Sequence, residues 1–296
     1  MPTAHRTPRF DLQAHSTFSD GELEPAAVVE AAAAAGVELL ALTDHDTVAG
    51  VGAALAAGAL SGVTVLPAVE ISAVDLDRQA PCELHVLGYR IDHDLPWVRQ
   101  ELERYVEDRK QRTLRMAEAL KELGFALEER LLEERIAAGR SIGRVHVAQA
   151  AIAHPANADR LAREGIEDMG DLIRAYLVEG KPAFRIRQTP TIAEAVEMIH
   201  RAGGIAVWAH PFWDFSEPQE VVETIDRFKA LGIDGVEAFY LTHTEEQTAV
   251  IVERCRKHGL LMTGSTDFHG PKNSLFNSFL GFQTFGFSPV LGDLVP

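Results

Sequence analysis

The chain is poor in cysteine and in positive charge, and it lacks any long apolar run. Two cysteines in 296 residues, Cys82 and Cys255, make no disulfide framework and fit a reducing compartment. No stretch reaches the roughly 18 apolar residues that a membrane span needs. The opening Met1-Pro2-Thr3-Ala4-His5-Arg6 has no apolar signal core. A cytoplasmic location with no membrane partner is therefore expected. Lysine and arginine number 28 against 44 acidic residues, a formal net charge of −16. That balance disfavours a broad grip on duplex nucleic acid or anionic lipid. It leaves room for a small phosphorylated ligand, because bound cations invert the field locally. The sequence also lacks a Gly-rich phosphate loop, a Cys-x-x-Cys pair, a nucleophilic Ser-His-Asp or Cys-His pattern, and any internal repeat.

What is present is an alternation of strand and helix patterns. At 46% apolar residues the chain can bury a barrel-sized core. Pro25 suits the first turn of a helix, and the alanine-rich run to Ala35 ends at Gly36. Segments 37–42, 63–69 and 83–89 read as strands, the last with His85 inside it, and 51–60 as a helix. Residues 8–90 thus read as βα units of a parallel sheet or barrel. From 95 to 180 no strand is convincing, whereas 95–123, 126–138, 145–152 and 166–178 have helical patterns. We read this stretch as a helical insertion domain (95–180) in a barrel domain made of 1–94 and 181–296. Alternation resumes with a helix at 191–202, strand 205–209, helix 218–231, strand 234–240, helix 244–258 and strand 260–264. The Gly-, Phe- and Pro-rich last thirty residues wrap the core.

Five strand-like runs end in metal-ligand residue types. Phe10 to His15 leads into Ser19-Asp20-Gly21, 39–42 into Thr43-Asp44-His45, 63–69 into Glu70, 205–209 into His210, and 260–262 toward Asp267-Phe268-His269. The C-terminal ends of barrel strands converge on one mouth, where imidazoles and carboxylates hold divalent metals. His15, Asp20, His45, Glu70, His85, His210, Asp267 and His269 suffice for two or three cations if some bridge. Asp267-x-His269 sets both side chains on one side of an extended strand end. The three carboxylates cannot neutralise three divalent cations. Such a cluster stays positive and matches a phosphate ester, and paired metals recur in phosphoester hydrolysis. Singly, each residue has an ordinary role: Asp20-Gly21 a turn, Asp44 and Asp46 helix caps, Glu70 the start of a loop. Five in one chain are a poor coincidence.

These motifs, Asp11-Leu12-Gln13-Ala14-His15-Ser16, Thr43-Asp44-His45-Asp46-Thr47, Glu70-Ile71-Ser72, His210-Pro211 and Ser265-Thr266-Asp267-Phe268-His269-Gly270, resemble the polymerase and histidinol phosphatase (PHP) family of metal-dependent phosphoesterases. The segment Gly143-Arg144-Val145-His146-Val147-Ala148 is similar to a subgroup acting on nucleoside 3′,5′-bisphosphates or on RNA 5′ ends. The resemblance implies a distorted (β/α)7 barrel with a centre of two or three divalent ions, usually manganese, iron or zinc, with magnesium a further candidate. It implies three ligand groups: His15, Glu70 and Asp267; Glu70, His85 and His210; Asp20, His45 and His269. It also implies hydrolysis of a phosphate monoester of a small nucleotide-like substrate by metal-activated hydroxide. Alternatives are a phosphodiesterase or 5′-end exoribonuclease, and a decayed metal-binding regulatory module.

One position departs from the family pattern, which opens His-x-His where this chain has Gln13-Ala14-His15. An amide oxygen in place of an imidazole is neutral and hard, suiting manganese or magnesium better than zinc. The expectation is a first site that binds metal more weakly than its neighbours; the alternative is a Gln13 that only hydrogen-bonds behind the ligands. On the substrate side, Arg144 offers a fork for phosphate, and the resemblance sets Arg144 and His146 over the metals. Lys272, just after His269-Gly270, is a further phosphate candidate; Arg185 and Arg187 read as surface charge. His210 and His146 are candidate proton donors to the leaving group. Trp208, Phe212, Trp213 and Phe239 are candidates for stacking a base. His5, His93, His154, His200, His243 and His258 have no assigned role.

Overall fold

The computed structural model describes residues 7–77, 81–187 and 190–295. Its strands β1 (Phe10–Asp11), β2 (Leu39–Leu42), β3 (Thr64–Asp75), β4 (Cys82–Tyr89), β5 (Ile205–Trp208), β6 (Gly235–Tyr240) and β7 (Leu261–Ser265) form one seven-stranded sheet in sequence order. The sheet curls until its edges meet. Leu12 N donates to Gly264 O (3.1 Å), Phe268 N to Gln13 O (3.3 Å) and His15 N to Phe268 O (2.8 Å). The expected α/β barrel is present.

The all-parallel pattern fails at one strand: β4 pairs antiparallel with both β3 and β5. Only residues 76–81 join β3 to β4, and a parallel crossover needs a dozen or more. His85 therefore reaches the mouth on a strand running the other way. β3 also continues past the expected strand end, so Glu70 lies mid-strand opposite Leu87.

Helices α1 (Pro25–Ala35) and α2 (Val51–Ser61) pack on each other and on β2 and β3. After β4 come α3 (Pro96–Glu122), α4 (Arg130–Ala137), α5 (Arg144–Ala153), α6 (Ala158–Glu164) and α7 (Met169–Leu172), the last running into a π-helical turn, Ile173–Leu177. Then follow α8 (Ile192–Arg201), α9 (Pro211–Asp214), α10 (Pro218–Ala230) and α11 (Glu245–His258). The helix expected over 126–138 starts only at Arg130, because the Asn157 side chain pins Ala126. Its Oδ1 accepts from Ala126 N (3.0 Å) while its Nδ2 donates to Ala126 O (2.7 Å) and Ala151 O (2.6 Å). The short α6 and α9 gave no periodic signal in the sequence.

Apolar side chains of β3 to β6, α8, α10 and α11 form the main core, joined by Val98, Leu102 and Tyr105 from the first half of α3. The second half of α3 contributes Met116 and Leu120 to a separate core with Phe125, Val147, Ala151, Leu172 and Leu177. One helix, about 40 Å long at 1.5 Å per residue, belongs to both. Leu291 and Leu294 seal the closed end of the barrel with Phe10 and Leu12, and Val290 exchanges both backbone hydrogen bonds with Met262. No helix among the described residues is long and apolar enough to cross a membrane.

Candidate metal centre

Turns at the strand ends aim the donors inward. Asp46, His210 and Asp267 have φ of 58°, 31° and 54°, the left-handed region that non-glycine residues avoid. The surrounding structure holds each in place. Ser72 N donates to Asp46 Oδ1 (3.0 Å), His210 N to Glu237 Oε2 (2.9 Å), and Tyr240 OH to Asp267 Oδ2 (2.8 Å). The extended conformation expected for Asp267-x-His269 is thus replaced by a sharp turn after Ser265, and both side chains still enter the mouth.

Glu70 is the hub. Its Oε1 lies 2.6 Å from His85 Nδ1 and 3.3 Å from His210 Nε2; its Oε2 lies 3.0 Å from His15 Nε2 and 3.4 Å from His45 Nδ1. Asp267 Oδ1 is 3.1 Å from His15 Nε2 and 3.6 Å from His269 Nδ1. Asp20 closes the ring at 3.5–3.6 Å from His269, His15 and His45. All eight donors named from the sequence converge. Three groups have ligand atoms within 4.8 Å of one another: His15, Asp20 and His269; His15, His45 and Glu70; Glu70, His85 and His210. The last repeats a triad implied by the family resemblance. The other two share His15 differently from the implied grouping.

The donor chemistry fits divalent cations. His15 Nε2, Asp20 Oδ1, His45 Nδ1, Glu70 Oε2, His210 Nδ1 and Asp267 Oδ1 are buried atoms that make no hydrogen bond. Unsatisfied buried polar atoms are costly; His210 Nδ1 faces Asp214 (3.6 Å), and the other five face the space between the donors. The electrostatics agree. Burial pushes the Glu70 carboxyl up, but the imidazoles of His45, His85, His15 and His210 bring it well below the carboxylate range. Burial lowers His15, but Asp267 and Glu70 hold it well above the usual imidazole value. The cluster calls for positive charge, and divalent ions would supply it in place of protons.

A ring of buried groups behind the donors was not read as functional from the sequence. Asp44 accepts from Ser16 N (2.7 Å), Ser16 Oγ (2.6 Å) and Ser19 Oγ (2.6 Å), fixing the turn that carries Asp20. Asp46 pairs with Arg109 Nε (2.9 Å) and Arg187 Nη1 (2.5 Å). Neither aspartate caps a helix, the ordinary role open to each when taken singly. Arg187, expected at the surface, is buried between Asp46 and Asp108. Glu83 Oε1 lies 3.9 Å from His85 Nε2, beyond hydrogen-bond reach, while the same carboxylate pairs with Arg112 of α3. The two-residue spacing to His85 was the available signal for Glu83. Glu237 is pushed up to about 8 by burial, with His210 and Ser265 opposing the shift. Ser265 Oγ donates to it at 2.5 Å and lies 3.5 Å from Gln13 Oε1. Gln13 is fully buried, and its Nε2 makes no hydrogen bond.

The helical segment lies over the mouth. Arg135 bonds to the carbonyls of Thr17 and Ser19, and Arg140 Nη2 donates to Glu24 Oε1 (2.7 Å). His146 Nδ1 accepts from Gly143 N (3.0 Å), which leaves the ring proton on Nε2. Burial, with Arg135 beside it, lowers His146 to about 4, so this imidazole is neutral. Arg144, half-buried at the first turn of α5, forms no hydrogen bond or ion pair among the described residues, and its charge acts on Glu83. Lys272 is exposed; its backbone N donates to Glu22 Oε2 (3.0 Å). Arg185 bonds to the carbonyls of Pro182 and Phe184. Of the four aromatic residues, Trp208 and Phe239 are fully buried in the core and Phe212 is half-buried against it; Trp213 is exposed. Of the unassigned histidines, His200 pairs with Asp234 and His258 with Asp226, while His5 lies outside the described residues.

A barrel with a carboxylate-bridged histidine cluster at one mouth defines a metal-dependent hydrolase. The PHP domain model matches residues 11–111. The chain is 33% identical to a 5′-3′ exoribonuclease of Haemophilus influenzae, over 90% of this chain and 91% of that protein. It is also 33% identical to a 3′,5′-nucleoside bisphosphate phosphatase of Chromobacterium violaceum, over 88% and 87%. The structure of an amidohydrolase from Chromobacterium violaceum, with bound sulfate and no metal, superposes with a TM-score of 0.78 at 31% identity, covering 91% of this chain and 90% of that one. The chain belongs to the PHP family, as one of its metal-dependent phosphoesterases.

Proposed function

We propose that this protein hydrolyses a phosphate monoester of a small nucleotide, with the eight convergent side chains as ligands of two or three divalent ions. The convergence of four imidazoles on the two oxygens of Glu70, with Asp267 and Asp20 beside them, carries this reading. Manganese, iron or zinc held there would supply an activated water and neutralise phosphoryl charge. The remaining work falls to the chain. Arg144 has no partner to give up among the described residues, so its guanidinium can fork onto phosphate oxygens. His146 presents Nε2–H as a neutral donor. At about 4 its conjugate acid is too scarce at neutral pH to protonate a leaving alkoxide, and it serves to orient the ester. Lys272 adds charge at the rim. Residues 95–180 act as an insertion domain that carries Arg144 and His146 to the metals.

A second reading, trimming of RNA 5′ ends, is favoured by the name of the Haemophilus relative. The net charge of −16 opposes a grip on a long polymer but not on one terminal nucleotide. Manganese-loaded protein offered a nucleoside 3′,5′-bisphosphate, bis-p-nitrophenyl phosphate and a 5′-phosphorylated RNA should turn over the bisphosphate fastest. Faster release of mononucleotides from RNA would select the second reading, and no turnover of any would sink both.

Gln13 is expected to weaken one site. Metal counting by mass spectrometry should find fewer bound ions in the wild type than in Gln13→His. Equal, full occupancy in both would place Gln13 outside the ligand set.

A further inference from the structure

We propose that Trp213 and Phe276 form a stacking ledge that takes the base of a nucleotide whose phosphate lies at the donor cluster. This rests on the function proposed above and names the residues that would hold the base. Among the exposed large hydrophobic side chains of the described residues, Trp213 is the aromatic one, at 51% exposure; the others are leucines, a methionine and a valine. An isolated exposed tryptophan needs no explanation, but this one has a particular place. It sits in α9, the single turn after His210, and its N donates to His210 O (2.8 Å). Its ring lies 5.5 Å from Phe276 and 6.5 Å from Tyr240.

Both neighbours lead to the donors. Phe276 is 5.5 Å from the His269 ring. Tyr240 is 5.4 Å from the His210 ring and donates to Asp267. A chain of ring contacts and one hydrogen bond therefore runs from the rim through Phe276 to His269 and through the buried Tyr240 to His210 and Asp267. It is also held firmly. Phe276 O accepts from His269 N (2.9 Å) and Gly270 N (3.3 Å), and Phe276 N donates to Asn273 Oδ1 (2.9 Å). A nucleotide has the matching shape, one charged end and one flat aromatic end joined by a sugar. Stacking on aromatic side chains tolerates any base, so the ledge would select for a base without selecting its identity.

The test compares Trp213→Ala with Trp213→Phe on adenosine 5′-monophosphate and on ribose 5-phosphate, which keeps sugar and phosphate but has no base. Loss of base stacking corresponds to about 5- to 150-fold. The alanine variant should lose that factor in kcat/KM on the nucleotide beyond any loss on ribose 5-phosphate, and phenylalanine should restore most of it. Equal losses on both esters, or none on either, would overturn the ledge. If the wild type turns over neither ester, binding decides the ledge, while the functional reading stands or falls on the nucleoside 3′,5′-bisphosphate. Adenosine 5′-monophosphate should quench wild-type tryptophan emission and leave Trp213→Ala unquenched, whereas equal quenching in both proteins would overturn it.

Discussion

Replacing Glu70 with glutamine should strip the bound cations and stop turnover together. Glu70 takes part in two of the three candidate ligand groups and lies within 3.4 Å of four imidazoles. The amide keeps the size but removes the charge, and it points an N–H at nitrogen and oxygen atoms that need a cation. Loss of a group that only orients a ligand lowers metal affinity or activity about 10- to 100-fold. Loss of a bridging carboxylate should exceed that, with kcat/KM falling by roughly 10³-fold or more. Mass-spectrometric metal counting on the same preparation makes the expectation checkable. A variant that keeps its full metal content and its rate would show that Glu70 is not the hub.

The second large effect concerns stability. Asp46 is fully buried between the guanidinium groups of Arg109 and Arg187. Burial pushes its carboxyl up, but the two arginines and their hydrogen bonds bring it down to about 2. A depressed carboxylate stabilises the fold above its unfolded value, near 3.8, and that contribution is lost as pH falls from there through about 2. At neutral pH the pair is intact. Asp46→Asn should then leave buried arginine charge uncompensated and destabilise the protein by about 3–5 kcal/mol. Urea unfolding at pH 7 measures it, and a shift under about 1 kcal/mol would show that the remaining partners suffice, Ser72 Oγ for Arg109 (2.6 Å) and Asp108 for Arg187 (3.0 Å).

The donors were legible in the sequence because each follows an apolar run whose period is short and clear. His15, His45, Glu70, His210 and Asp267 announce themselves by residue type and place. The reversal of β4 was hidden. A strand buried on both faces reads the same in either direction, and only the short link at 76–81 argues for a hairpin. Asp46, Arg109, Arg112 and Arg187 were hidden for another reason. Their pairing spans 63 and 141 residues for Asp46 alone, and no local pattern marks an arginine that will be buried. Trp213 and Phe276, 63 positions apart in the numbering (276 less 213), likewise meet only through the fold. The sequence thus displays what each element offers, while the partners depend on topology.

The turned strand has one last result. Because β4 runs backward, the chain leaves the sheet at the floor of the barrel, opposite the mouth. α3 must climb the whole wall before the remaining helices can cross above the opening. On the way it plants Arg109 against Asp46 and Arg112 against Glu83. The roof therefore stands on this post, bolted to the pillars behind His45 and His85, and on a second footing at the turn after β1, where Arg135 and Arg140 hold Thr17, Ser19 and Glu24. Lengthening the post would have to break that second footing before it raised the headroom for a guest molecule, so the two supports together fix the space above the donors.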